Sequence, residues 1–370
     1  MVELEEGNAA AFFDVPFHVY DSAVPYVSPL RQDLARFLDA GANPLFREFG
    51  SRRFFVARRD GRPVGRIVAH VHRASNERFG WKRAYFGFFD CAPDLEAARL
   101  LLDEAGGYGR SLGCDELWGN FNLTAMQQVG ILTAGFEHVP YSDQHYNPPH
   151  QPELLAACGF VPEFPMRTFE ADLATLDPET LLGARQRERL EDPALRWEDI
   201  DLRHFLRILN GMRVALNDGF ERNPMFVPLT EEEFRFQAGD LSTVMDPAIS
   251  QLVYDSEGAV GTVVCIPDLN PLLRSMRSRM TWSAPLHFAR FKLTRQRAVI
   301  IFYSVAKRWQ NRGLNGAMLY RVVRALKARG YRRLGITWIA DSNASSLKQM
   351  EKLGARTLHR LHLFRKPLAP

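Results

Sequence analysis

Val-Ile-Ile-Phe-Tyr-Ser-Val at 299–305, followed by Ala-Lys-Arg-Trp-Gln-Asn-Arg-Gly-Leu-Asn-Gly-Ala at 306–317, is the stretch whose reading decides the fold. The first seven residues are an apolar strand. The next seven are a short polar loop, and an amphipathic run then continues to Gly330. Leu314, Ala317, Met318, Val322, Ala325 and Leu326 share one helical stripe, with Arg321, Arg324 and Lys327 off it. A strand that delivers its end to a glycine-bearing helix N-terminus is suited to anions. The first helical amides have no partner within the helix, and the helix dipole favours negative charge there. Gly313 has no side chain to keep a phosphate from the backbone.

The residues downstream extend the pattern. Gly330 is placed to end the helix, 334–339 reads as a second strand, and Asp341-Ser342-Asn343 opens another helix that closes at Leu353-Gly354-Ala355. Residues 358–366 read as a final strand. The loop resembles the Arg/Gln-x-x-Gly-x-Gly/Ala motif of the GCN5-related N-acyltransferases (the GNAT superfamily). Gln310 and Gly313 match it; Asn315 stands where the family has Gly or Ala, and Gly316 follows. The resemblance implies an acyl-CoA substrate, its pyrophosphate held by Gln310, Asn311, Arg312, Gly313, Leu314, Asn315 and Gly316, with Val305 and Asn343 also at the cofactor.

Working outward, the same plan occurs twice. In the first copy, strands at 53–57 and 63–70 flank Asp60-Gly61, a hairpin signal. A strand at 85–91, a helix at 95–112 and strands at 116–119 and 166–173 complete it. In the second, 251–254 and 260–265 flank Ser256-Glu257-Gly258. The fold class is therefore α/β (α+β): two tandem GNAT-like domains, each a central mixed, mainly antiparallel twisted sheet flanked by helices. The expected boundaries are 1–175 and 195–370, with a Pro-punctuated linker and a short helix over 176–194. The first copy lacks the phosphate loop. Its equivalent turn, Cys91-Ala92-Pro93-Asp94, loses an amide to Pro93 and presents Asp94, which suits a helix N-cap and repels phosphate. It is expected to take a packing or acceptor-side role.

Composition sets outer limits. The 370 residues are 46% hydrophobic and 24% charged, ordinary for a globular protein of two domains. The four cysteines are far apart without a C-x-x-C, which fits a reducing compartment. The stretch Met1–Glu6 is acidic and lacks a signal peptide's basic n-region and apolar core, and no apolar run approaches the ~20 residues that span a bilayer. A cytoplasmic protein is expected, with peripheral attachment to the inner membrane as an open alternative. From Leu269 to Ala340 there are 16 Lys and Arg and no acid, so the rest of the chain is net acidic. Such a region suits CoA, an acidic acyl carrier protein or an anionic membrane surface. Nucleic acid is not expected, since closely spaced stacking aromatics are missing.

Residues 119–137, with Tyr146-Asn147-Pro148-Pro149-His150 and Pro267-Asp268-Leu269-Asn270, are similar to a bacterial family of tandem N-acyltransferase-like proteins, some of which resemble bacterial ceramide synthases. That resemblance points to a long-chain acyl donor and a lipid amine acceptor of the sphingoid-base type. An independent hint is the long connection 267–297, where Leu272, Leu273, Met276, Met280, Trp282, Leu286 and Phe288 alternate with Arg and Lys. The alternatives are a small-molecule N-acetyltransferase using acetyl-CoA, and a non-catalytic or RNA-binding tandem protein.

Amine acylation needs a neutral amine, a donor to the thioester carbonyl and a proton source for the thiolate. Many of the resembling enzymes use a Tyr four residues before the last helix's Gly; here that position is Met350. Tyr303, Ser304, Ser345 or Ser346 stand as substitutes, with Asp341 as a base or a cap. Asn120, Asn122, Asp143, His145 and Tyr146 form a polar cluster that suits acceptor binding or, equally, turn-building. His70 and His72 share a strand face without a third ligand, so no metal is expected.

Overall fold

The computed structural model describes residues 1–47, 50–223 and 225–368. Chain packing separates two units: Met1–Arg167 with Asn270–Arg290 and His359–Pro370, and Thr168–Leu269 with Phe291–Leu358.

In the first unit, β1 (Val2–Glu6), β2 (Gly50–Arg59), β3 (Arg62–His72) and β4 (Arg83–Cys91) are antiparallel neighbours, and β5 (Glu116–Gly119) runs parallel to β4. The β2–β3 hairpin turns on Asp60 and Gly61, both with positive φ (51° and 79°), as a two-residue turn matched to strand twist requires. The crossover from β4 to β5 is the helix Leu95–Ser111, whose Ala97, Ala98, Leu101, Leu102 and Ala105 are buried against the sheet. Its N-cap is Asp94, which accepts from the Ala97 amide and pairs through both oxygens with Arg59. β6 (Ile131–Ala134) follows.

β7 (Val161–Asp172) leads into the second unit. There β8 (Arg196–Glu198), β9 (Gln251–Asp255), β10 (Gly258–Pro267) and β11 (Arg297–Val305) are antiparallel in sequence, and β12 (Arg333–Ala340) is parallel to β11. The helix Leu314–Ala328 joins these two, burying Leu314, Ala317, Met318, Val322 and Leu326 as the apolar stripe predicts. β13 (Arg356–Pro367) ends the chain.

The last strands are exchanged. β13 pairs antiparallel with β5, Phe364 opposite Gly119, and so completes the first unit's sheet. β7, the last strand of the first copy, lies beside β12. The packing units thus differ from contiguous domains of 1–175 and 195–370, because a strand's alternation specifies its faces but not its edge partner. Residues 176–194 contain the expected short helix, Ala184–Glu191, and pack within the second unit. Leu181 is buried, Tyr320 donates to Glu179 at 2.8 Å, and Lys327 donates to the Leu173 carbonyl at 2.7 Å. The helix Ala184–Glu191 packs on the helix Leu314–Ala328.

Candidate functional site: a strand gap and a glycine loop

β11 and β12 are paired only from Arg297↔Arg333 to Ile300↔Ile336. Just past that pairing, Thr337 Oγ1 donates to the Ile301 carbonyl at 3.2 Å. A one-residue bulge in β11 accompanies the divergence: Phe302 lies opposite Val264, but Ile300 lies opposite Cys265. Beyond it the Ala306 amide donates to the Val260 carbonyl on the β10 side. By strand alternation the peptide groups of Tyr303 and Val305 face the opposite edge, into the gap left by β12. The Val305 carbonyl is taken by Gln310 Nε2 at 3.0 Å, so the motif's first residue locks the loop to the strand end.

The loop makes a 3-10 turn at Lys307–Trp309, then passes through Asn311 (φ 60°) and Gly313 (φ 92°) before the helix begins at Leu314. Asn is among the few side-chain-bearing residues that accept this left-handed region, and Gly accepts it freely. Arg308 and the Trp309 indole both bond the Asp255 carboxylate, which these donors hold well below the usual carboxylate range. This clamps the loop to the β9–β10 hairpin. Among the described residues no hydrogen bond engages the amides of Leu314, Asn315 and Gly316. Behind the loop stands the helix Ala184–Glu191. A Cβ at Gly313 would lie 3.0 Å from the Arg185 carbonyl oxygen, and one at Gly316 would lie 2.9 Å from the Gln186 side chain. The glycines therefore serve close packing of the helix Ala184–Glu191. Asn315 is half-buried; its backbone carbonyl accepts the Tyr303 hydroxyl and its side-chain oxygen has no partner among the described residues.

Several candidates for chemistry have structural partners. Ser304 is buried and donates to the Ala215 carbonyl at 2.9 Å. Tyr303 is tied to Asn315, and burial pushes its hydroxyl well above the ordinary range, so it stays protonated. Asn343 caps the helix Ala344–Lys352, accepting from the Ser346 amide at 3.1 Å. Asp341 lies half-buried just past β12, and Ser345 is exposed. Met350 is part of the core.

The five acceptor-side candidates belong to the first unit. β4 and β5 likewise pair only from Arg83↔Glu116 to Tyr85↔Trp118 and then part. There the gap is filled by the chain itself. Phe121 N donates to the Phe86 carbonyl at 2.8 Å, Asn122 Oδ1 accepts from Phe88 N at 2.6 Å, and Asn120 Oδ1 accepts from Phe89 N at 3.2 Å. Gly87 and Gly119 permit this insertion, since a Cβ at either would stand within 2.4 Å of a backbone carbonyl oxygen. Asn120 and Asn122 are thus plug residues. Tyr146 donates to the Phe136 carbonyl at 2.9 Å. Asp143 (φ 67°) is pushed up to about 7 by burial, and His145 down to about 4 for the same reason.

Sequence reasoning missed the buried pair Arg66–Asp90. The guanidinium bonds Asp90 at 2.7 Å, the Phe12 carbonyl at 2.9 Å and the Tyr26 hydroxyl at 2.9 Å, while Tyr20 donates to Asp90 at 2.5 Å. Nothing in an alternating strand marks an inward arginine when its partner is 24 residues away.

Residues 218–355 match the acetyltransferase (GNAT) family. The chain is 24% identical to the bacterial ceramide synthase of Caulobacter vibrioides over 368 residues, 96% of this chain and 94% of that protein. It is 22% identical to protein YghO of Escherichia coli, covering 99% and 94%. A tandem GNAT protein from the clavulanic acid biosynthesis pathway superposes with a TM-score of 0.59 at 14% identity, covering 100% of this chain and 99% of that one. A GCN5-related N-acetyltransferase from Sphaerobacter thermophilus gives 0.55, also at 14%, covering 100% and 96%. With the parted strands and the glycine loop in the second unit, residues 218–355 carry the match to the acetyltransferase (GNAT) family, and the whole chain shares the fold of tandem GNAT proteins.

Proposed function

We propose that the second unit transfers a long-chain acyl group from a CoA thioester to the primary amine of a lipid, of the sphingoid-base type. The observation that carries the donor half is the juxtaposition of an open strand edge at Tyr303 and Val305 with the free amides of Leu314–Gly316. An extended diamide such as the pantetheine arm pairs with a strand edge, and a pyrophosphate suits a helix N-terminus. A carrier protein's phosphopantetheine presents the same arm. The full-length similarity to a protein named bacterial ceramide synthase supports the acceptor half.

In the reaction the neutral amine nitrogen attacks the thioester carbonyl carbon. The C–N bond forms, the C–S bond breaks, and the thiol departs with the proton the nitrogen loses. In this reading Val305 N–H and Tyr303 N–H orient the arm, and residues Asn311–Gly316 hold the phosphates. Tyr303 O–H, engaged by Asn315, positions the helix start rather than relaying a proton. The first unit, with its strand gap filled, serves the acceptor side.

The test is turnover with acetyl-, octanoyl- and palmitoyl-CoA against sphinganine and against short water-soluble amines, with the amide product identified by mass. Palmitoyl transfer to sphinganine is expected to dominate. Preferred acetyl transfer to a small amine would replace this reading with a small-molecule N-acetyltransferase.

A further inference from the structure

The connection between β10 and β11 is pinned at its base. Pro267 pairs with Ala298, and the Asp268 amide donates to the Arg297 carbonyl at 2.9 Å. Within it, Ser278 is buried and donates to the Ser28 carbonyl at 2.6 Å, and Arg277 and Arg279 lie over the Phe17 ring. Leu272, Ala284 and Phe291 are buried. The segment is thus a fixed element, not a loose loop.

Its exposed residues include large apolar side chains. Trp282 is 95% exposed, Leu293 88% and Leu286 74%; Met1 aside, these are the three most exposed large apolar side chains among the described residues. They fall within 282–293. Leu286 and Leu293 are seven apart on the helix Ala284–Thr294, and exposed Ala289 and Arg290 lie between them on the same face. This helix therefore presents Leu286, Ala289 and Leu293 to solvent, with Arg290 among them. Met280, also exposed, extends the patch. Trp282 is the exception among the six tryptophans, the other five being buried or half-buried. Arg274, Arg277, Arg290 and Lys292 of the same segment are exposed, and no acid occurs between Leu269 and Ala340.

We propose that this face, Met280 to Leu293, docks on the surface of an anionic lipid bilayer. Contiguous exposed apolar side chains mark an interaction site. Trp with Leu, flanked by Arg and Lys and free of acids, matches the interface between headgroups and acyl chains. No helix among the described residues is long and apolar enough to cross a membrane, so the association is peripheral. A side chain as exposed as Trp282 projects from its surroundings, which suits insertion into a fluid layer. The inference extends the lipid-amine reading by giving the acceptor a lateral route, but it rests on the surface alone.

Vesicle flotation of the full chain tests it, using phosphatidylcholine alone and with 30% phosphatidylglycerol, at low and high salt. Binding is expected on the anionic vesicles, weakened by salt because exposed charges are screened. Trp282→Ala/Leu286→Asp/Leu293→Asp should lower partitioning at least tenfold at both salt levels. Arg290→Glu/Lys292→Glu should lower it mainly at low salt. Unchanged circular dichroism and acyl-CoA affinity show that both variants fold. The proposal is overturned if wild type stays unbound on anionic vesicles at low salt, if the triple variant binds equally well, or if the patch mediates self-association or acidic carrier-protein binding in place of vesicle binding. Because the readout is binding, vesicle association with no turnover of lipid amines would sink the acceptor assignment and leave this surface standing.

Discussion

Gly313→Ala separates two demands placed on one residue. At φ 92° and ψ −10° an L-residue is in the left-handed region, which costs about 1–2 kcal/mol. The new Cβ would also stand 3.0 Å from the Arg185 carbonyl oxygen and 3.1 Å from Arg185 Cβ. These atoms are fixed to the backbone of the helix Ala184–Glu191, so the helix must retreat by a few tenths of an ångström. Taking about 1 kcal/mol for that adjustment, in the range of mild overpacking, the total is about 2–3 kcal/mol. For a unit of this size each kcal/mol moves Tm by about 2–4 °C, so a fall of roughly 4–12 °C is expected. Gly61→Ala is the internal control: its φ is 79°, but its Cβ meets nothing within 4 Å. It should show the conformational cost alone, about 1–2 kcal/mol. In calorimetric titration with palmitoyl-CoA, Gly313→Ala should lose at least tenfold in affinity and Gly61→Ala none. Equal stability of the two variants would refute the tight loop–helix contact. Wild-type affinity in Gly313→Ala would refute the loop as the phosphate site.

Three further outcomes follow from other parts of the molecule. Asn122→Ala leaves the buried Phe88 amide without its acceptor and should cost about 1–3 kcal/mol in urea denaturation without changing acyl-CoA affinity; an altered affinity would argue against a purely structural plug. Across saturated acyl-CoAs, each buried methylene should contribute about 0.8 kcal/mol, so four more carbons should tighten binding roughly a hundredfold; a flat series would exclude a long acyl pocket. His70, His72, His145 and His359 are each pushed down to about 4 by burial, so they are neutral in the fold and the unfolded chain protonates first as pH falls. Their contribution is complete above about pH 6.5 and lost progressively toward pH 4, at most on the order of 3 kcal/mol each; a urea midpoint unchanged between pH 7 and 4.5 would contradict it.

The parts of the fold that depend on local pattern were legible. The strand into Val305, the helix start after Gly313, the buried stripe on the helix Leu314–Ala328 and the cap at Asp94 all follow from neighbouring residues. The exchange of β7 and β13 does not, because edge pairing is decided by the completed sheet. The same limit hid the packing of Leu181 and Glu179 on the helix Leu314–Ala328, in a segment whose Pro, Asp and Gly content reads as a linker. Asn120 and Asn122 show the ambiguity most clearly. A carboxamide that binds a ligand and one that satisfies a strand edge have the same composition and spacing; only the position of the Phe88 and Phe89 amides distinguishes them.

That distinction has a consequence for stoichiometry. Both units carry a strand pair that parts after three or four residues, beside a helix N-terminus. Peptide groups along a buried strand edge require partners. In the first unit two asparagine side chains and the Phe121 peptide supply them, and the Asp94 carboxylate, paired with Arg59, occupies the helix start. In the second unit Gln310 takes the Val305 carbonyl, the Val305 N–H and the Tyr303 peptide group lie on the edge that β12 leaves, and among the described residues the amides of Leu314–Gly316 have no such cap. A polar edge kept open in this way is costly unless a ligand completes it. One acyl-CoA per chain is therefore expected by calorimetry. Arg59→Ala/Asp94→Ala should leave that value at one, because the Asn120–Asn122 plug remains in the first gap and Pro93 still lacks an amide. A stoichiometry of two in wild type, or a second site gained by this variant, would show that the first gap opens to the thioester and that the plug is a gate rather than a fixed part of the sheet.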